Sequence, residues 1–129
     1  MAQVGVDLVE VARIRDLFLR RGERALEHLF TPRELAYALA ARPSLRFQRL
    51  AARFAAKEAF RKAMDHPVPF REMEVVRENG RPRLRWRGRD YPLTISHTAA
   101  LAVAVVLVED ATPLPPPPPR PGPSGAPAG

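Results

Sequence analysis

The sequence predicts an α+β domain with helices segregated from a mostly antiparallel sheet, and three observations carry that prediction. Apolar residues recur at helical spacing from Glu10 to Met64, and from Met73 onward they alternate instead. Asn79-Gly80 inside the alternating half is a strong hairpin signal, and the run Leu101–Val108 is apolar enough to be an interior strand. Nine of the 15 prolines among the 129 residues fall in positions 112–129, which lack any apolar period. The folding unit is therefore residues 1–110, and residues 111–129 read as a Pro-rich, disordered, partly polyproline-II tail.

Each element has a local cause. Val4 to Val9 alternates and is β-branched, so it reads as a strand with Asp7 near its end. Val11, Ile14, Leu17 and Phe18 make one helix face from Glu10 to Arg21, and Gly22 stops it. A short helical piece spans Glu23 to Leu29. Thr31, Pro32 and Glu34 spell an N-cap, a first-turn proline and a capping box for a helix ending near Ala41. The longest helix is expected from Ser44 to Met64, with a small apolar face of Phe54, Ala55, Ala59 and Ala63. Its opposite, basic face carries Arg46, Arg49, Arg53, Lys57, Arg61 and Lys62. Strands follow at Met73–Arg77, Pro82–Arg87, Tyr91–Ser96 and Ala100–Glu109, the last apolar on both faces and so expected to be central.

Composition removes several classes of function. With no cysteine there is no disulfide framework, thiolate metal site or Cys nucleophile. The longest apolar run, Ala99 to Val108, is ten residues, short of a membrane-spanning helix. The opening Met1-Ala-Gln-Val-Gly-Val-Asp7 does not resemble a signal peptide, so a soluble, cytoplasmic chain is expected. A net charge of +7 suits acidic partners: nucleic acid, phosphorylated small molecules or acidic proteins. Charge alone does not separate these.

Three residues stand out chemically. Asp7 is a carboxylate in an otherwise apolar strand, where it needs a cation, a set of donors or a solvent-filled site. Glu58 shares a helix face with Lys62 four residues on, and its neighbours Ala55, Ala56, Ala59 and Ala63 suit close packing better than a solvated surface. His97 follows Leu93-Thr-Ile-Ser96 at a strand end, where a phosphate donor, a general base and a hydrogen-bonded turn residue all fit. Taken singly, Asp7 reads as a strand-end cap, Glu58 as a surface ion pair and His97 as a turn residue. No glycine-rich phosphate loop, zinc helix or nucleophile elbow is present.

Together the pieces resemble one family. Gly5-Val-Asp7-Leu-Val-Glu10-Val-Ala-Arg13-Ile, Arg53-Phe-Ala-Ala-Lys57-Glu58-Ala-Phe-Arg-Lys62-Ala63 and Leu93-Thr-Ile-Ser96-His97-Thr98 match, in order and spacing, the motifs of the holo-(acyl-carrier-protein) synthases, the short 4′-phosphopantetheinyl transferases. The match spans residues 3–109.

The resemblance implies their fold, a mostly antiparallel sheet with one long helix, and their reaction. That reaction moves 4′-phosphopantetheine from coenzyme A to a serine of an apo acyl carrier protein, leaving adenosine 3′,5′-bisphosphate, in fatty-acid biosynthesis. By the same resemblance Asp7 and Glu58 hold Mg²⁺, and Lys62 balances the pyrophosphate. Arg53, Ser96 and His97 contact the nucleotide end of coenzyme A. The base for the serine proton is a metal-held water, Glu58 or Asp7. Arg13, Arg20, Arg21 and Arg24 match the basic first-helix face that meets the acidic carrier protein, and a homotrimer with active sites between subunits is expected. One departure is the turn Asp65-His66-Pro67, where many relatives carry glycine beside the nucleotide. The hairpin 77–89 holds six arginines with no role from the resemblance, and it reads as a charge-protected edge ribbon. The alternative from charge alone is a small basic nucleic-acid-binding domain, which the few aromatics near that hairpin, Trp86 and Tyr91, make the weaker reading.

Overall fold

The structure, a computed structural model, describes residues 1–109 and 116–119. The proline-rich tail expected at 111–129 therefore lies, apart from 116–119, outside the described residues. In chain order the elements are β1 (Ala2–Glu10), α1 (Val11–Arg21), α2 (Glu23–Leu26), α3 (Pro32–Leu39) and α4 (Pro43–Met64). A 3-10 turn (Phe70–Glu72) leads into β2 (Met73–Glu78), β3 (Arg81–Trp86), β4 (Arg89–His97) and β5 (Leu101–Glu109).

Local chemistry explains most boundaries. Gly22 ends α1 at φ 77°, and its N–H bonds the Phe18 carbonyl. The capping box forms as read: Thr31 Oγ1 accepts from the Glu34 N–H while the Glu34 carboxylate accepts from the Thr31 N–H. Helix α2 stops at Leu26, three residues short of expectation, where the His28 and Leu29 N–H groups bond the carbonyls three residues back, Ala25 and Leu26, instead of four. Helix α4 begins at Pro43 rather than Ser44; proline's fixed φ and missing donor suit a first helical position. At its other end Asp65 caps the helix in the left-handed region (φ 50°, ψ 47°), the conformation glycine would adopt more freely. Asn79 and Gly80 both take positive φ, as a tight hairpin requires, and Arg87-Gly88 does the same between β3 and β4.

The strands β1 to β5 form one antiparallel sheet in the order β1-β5-β4-β3-β2. Strand β5 is interior, between β1 and β4, but only one of its faces is covered by the described residues. Helix α4 lies across that face, burying Ala51, Ala52, Ala55, Ala56, Ala59 and Ala63 with Ala102, Ala104 and Val106 of β5. Gly5 makes this contact close, since a Cβ there would fall inside the Ala59 carbonyl group. On the far face Val4, Val6 and Leu8 are each at least half exposed, and Leu101 and Val105 of β5 are 40% and 38% exposed.

The basic face expected for α4 is divided. Arg53 (5% exposed) and Lys57 (0%) are buried. Lys57 is drawn inward by Glu34 at 2.6 Å, and Arg53 stacks on Tyr37 with its guanidinium 4.4 Å from the ring centre. Long cationic side chains bury their stems readily when the head finds such a partner.

Candidate active site

Asp7 sits on the α4 side of β1, in the same alternation as Gly5 and Val9. The close approach at Gly5 sets β1 directly against the last turns of α4. There Lys62 Nζ donates to Asp7 Oδ1 at 2.9 Å and to the Val6 carbonyl at 3.2 Å. The Asp7 side chain is 15% exposed and that of Lys62 is 57% exposed. The hydrogen bond and charge of Asp7 raise the Lys62 pKa above its ordinary 10.5, with a smaller contribution from Glu58. An ammonium has three hydrogens, so two bonds leave one to meet a substrate oxygen.

Glu58 is one turn earlier on α4 and faces a trough between α1 and α4. Its carboxylate lies 3.8 Å from the Arg61 guanidinium. Arg13, Leu17, Arg20 and Phe54 line the same trough. The trough is apolar at its base, where Phe54 and Phe70 stack with ring centres 5.4 Å apart, and cationic at its rim. Arg13 lies 5.2 Å over Phe54, and Arg61 lies 4.6 Å over Phe70. The fold thus brings Arg13 and Arg20 into one cavity with Glu58. Arg21 and Arg24 stay exposed at the end of α1 and in α2, outside it.

A second cluster forms elsewhere on α4. Arg53 and His97 line a pocket with Tyr37, Arg49 and Arg77. Arg53 is buried and, among the described residues, has no hydrogen-bond partner at Nε. Arg49 and Arg53 each lie over the Tyr37 ring, 4.4 Å from its centre. Desolvation lowers the Arg53 pKa from its ordinary value, opposed by Glu34. His97 Nδ1 contacts Gln48 Oε1 at 2.9 Å. Burial, then the charges of Arg49, Arg53 and Arg77, push His97 below its ordinary 6.5. A cluster of cations with one orphaned guanidinium nitrogen suits an anion such as a phosphate monoester. Ser96 is not part of it: strand alternation turns its side chain to the uncovered face, opposite Val103.

The two clusters lie on opposite faces of α4. Arg53 and Lys62 are nine residues apart on α4, which is about half a turn around the helix and about 13 Å along it. Among the described residues no three His, Cys, Asp or Glu side chains gather as a metal cage. Asp7 and Glu58 are nonetheless the donor type a hard divalent cation takes, which needs only one or two carboxylates when substrate phosphate and water complete its shell.

Sequence reasoning missed Tyr37, Arg49 and Arg77 around Arg53 and His97, because they come from three separate elements. It also read Lys57 and Glu34 as a surface cation and a cap. The position of Lys57 between Ala55-Ala56 and Ala59 was the available sign of burial.

Residues 3–106 match the family model of the 4′-phosphopantetheinyl transferase superfamily. The chain is 49% identical over 83 residues to a holo-(acyl-carrier-protein) synthase of Thermus thermophilus, covering 64% of this chain and 65% of that protein, just under two thirds of its length. It is 46% identical over 99 residues to one from Chloroflexus aurantiacus, covering 65% and 72%. Among solved structures, a Bacillus anthracis holo-(acyl-carrier-protein) synthase in complex with CoA (3′,5′-ADP) superposes with TM-score 0.71 at 31% identity, covering 81% of this chain and 93% of that one.

Proposed function

The chain belongs to the 4′-phosphopantetheinyl transferase superfamily, and from that premise we propose that it transfers 4′-phosphopantetheine from coenzyme A to a serine of an apo acyl carrier protein. The reading includes a cytoplasmic location and a role in fatty-acid biosynthesis. The observation that carries it is the Asp7–Lys62 ion pair one helical turn from Glu58, which itself lines a trough with Arg13 and Arg20. In the reaction the serine oxygen bonds to the phosphorus that bears pantetheine. The bond from that phosphorus to the bridging oxygen breaks, and adenosine 3′,5′-bisphosphate leaves with it.

Asp7 and Glu58 would hold Mg²⁺, which when bound neutralises pyrophosphate charge as it shifts to the leaving group. Lys62, oriented by Asp7 and the Val6 carbonyl, offers its remaining hydrogen to the same phosphates. The arginines of α1 attract the acidic carrier, while Phe54 and Phe70 give an apolar side chain of that carrier a place to pack. Arg53 and His97 take the nucleotide phosphate.

A homotrimer with active sites between subunits is part of the proposal. The separation of the two clusters supports it, because a neighbouring copy could bring its Arg53 cluster to this Asp7 cluster. The uncovered sheet face of Val4, Val6, Leu8 and Val105 supports it too, since apolar patches of that kind mark interfaces. Nucleic-acid binding is the weaker reading, because two of the six hairpin arginines are taken up by carboxylates. Arg85 of the hairpin is held by Glu78 and Asp90 at 2.7 Å each, and Arg87 pairs with Glu72.

The test is direct. Purified protein incubated with an apo carrier protein, coenzyme A and Mg²⁺ should raise the carrier mass by one phosphopantetheine group. No gain beside an active control enzyme overturns the reading.

A further inference from the structure

The buried pair Lys57–Glu34 lies outside every role assigned above. The two side chains are 0% and 1% exposed. Lys57 Nζ donates to Glu34 Oε1 at 2.6 Å and to the Leu29 carbonyl at 2.8 Å. Glu34 accepts the Thr31 N–H through the same oxygen and the Val75 N–H through the other, each at 2.8 Å. Thr31 Oγ1 in turn donates to Glu74. One buried point therefore ties the middle of α4 to the turn after α2, the start of α3 and the edge strand β2.

Stability alone does not call for such a pair. Burying two charges is costly, and apolar replacements of similar volume are often as stable. What apolar packing supplies only in part here is uniqueness. Against β1 and β5 the inner face of α4 is a run of alanines, whose equal small side chains resist a small rotation less than the Phe60 ring does where it packs on Trp86 and Tyr91 farther along the sheet. Loosely specified cores lose a unique arrangement before they lose stability. A carboxylate and an ammonium with fixed backbone partners accept one rotation only.

That rotation matters because Glu58 follows Lys57 directly and Lys62 comes five residues later. With helix side chains reaching about 5–6 Å from the axis, a turn of about 10° moves their tips by about 1 Å. A misplacement of that size can cost about a hundredfold in rate.

We propose that the Lys57–Glu34 pair is a positioning device that sets the rotation of α4 and so holds Glu58 and Lys62 in register with Asp7. The proposal rests on the transferase reading, and its test keeps the two apart. Lys57→Met and Glu34→Gln should unfold cooperatively, with kcat down by about tenfold to a hundredfold and KM for coenzyme A and carrier within about twofold of wild type. The double variant should lose little more than either single one, as for residues acting as a unit. Nuclear Overhauser contacts between the Ala63 amide proton and the Gly5 α-protons, read without substrate, should weaken in all three.

Unchanged kcat with those contacts intact overturns the proposal, as do additive losses. If Lys57→Met does not fold, the double variant, which removes both charges, takes its place. Failure of both to fold cooperatively also overturns it, because the pair would then serve folding itself. If the wild-type chain transfers nothing, the transferase reading fails, and the Gly5–Ala63 amide contacts still decide the positioning claim.

Discussion

At the scale of single residues, Asp7 is a strand carboxylate whose side-chain ion pair among the described residues is with Lys62, itself half exposed. A carboxylate kept merely for a salt bridge at such a surface is worth little. If instead Asp7 and Glu58 are metal donors, Asp7→Asn and Glu58→Gln should each cut turnover by about a hundredfold or more while thermal unfolding stays cooperative; wild-type rates in both would remove them from the site. His97 makes a second, pH-dependent prediction. Its pKa is depressed below 6.5 by burial first and by Arg49, Arg53 and Arg77 next. Between the depressed value and 6.5 the unfolded chain binds more protons than the folded one, so stability rises with pH there. The contribution of His97 is thus present above 6.5 and lost as pH falls through the folded value. Denaturant midpoints at about pH 7.5 and about pH 5.5 should differ more in wild type than in His97→Gln. Adenosine 3′,5′-bisphosphate seated among these cations should raise the His97 pKa in an NMR titration, and no movement would place the nucleotide elsewhere.

At the scale of elements, β1 and α4 are joined where strand glycine meets helix backbone. Gly5 has no room for a methyl group, because the Ala59 carbonyl occupies that space. Gly5→Ala should therefore destabilise by about 1–3 kcal/mol or more in denaturant titration, far beyond a strand-propensity effect. Turnover should fall with it, since moving β1 from α4 parts Asp7 from Lys62; a variant as stable and active as wild type would mean that the contact yields at no cost. The glycine was visible in the sequence as an interruption of a β-branched strand. Its partner was not, because Gly5 and Ala59 are far apart in the chain and Ala55, Ala56 and Ala63 offer equally small positions on the same helix.

At the scale of the whole molecule, the described residues cover only one face of the sheet. Val6 and Val105 are paired across β1 and β5 on the bare face. In a homotrimer built on that face, Val6→Asp with Val105→Asp should give monomers by sedimentation. Transfer should be lost although Asp7, Glu58 and Lys62 are intact, because the Arg53 cluster no longer arrives from a neighbour. A wild-type chain that sediments as an active monomer would refute the assembly.

By itself the sequence determined what depends on neighbours along the chain. The capping box at Thr31–Glu34, the stop at Gly22, the hairpin at Asn79-Gly80 and the alternation of the strands all follow from local sterics and hydrogen bonding. The motifs around Asp7, Glu58 and His97 were legible for the same reason, as residue types at set spacings. Tertiary structure alone decided which of these meet. It paired Asp7 with Lys62, put Glu58 beside Arg13 and Arg20, and set Arg53 and His97 apart with Tyr37, Arg49 and Arg77. It also turned Lys57 from an outward cation into a buried one. Burial and charge pairing are properties of the packed chain: a lysine's spacing gives its direction on a helix, and only the element packed against that face, here α3 with Glu34, decides whether water or a carboxylate meets it.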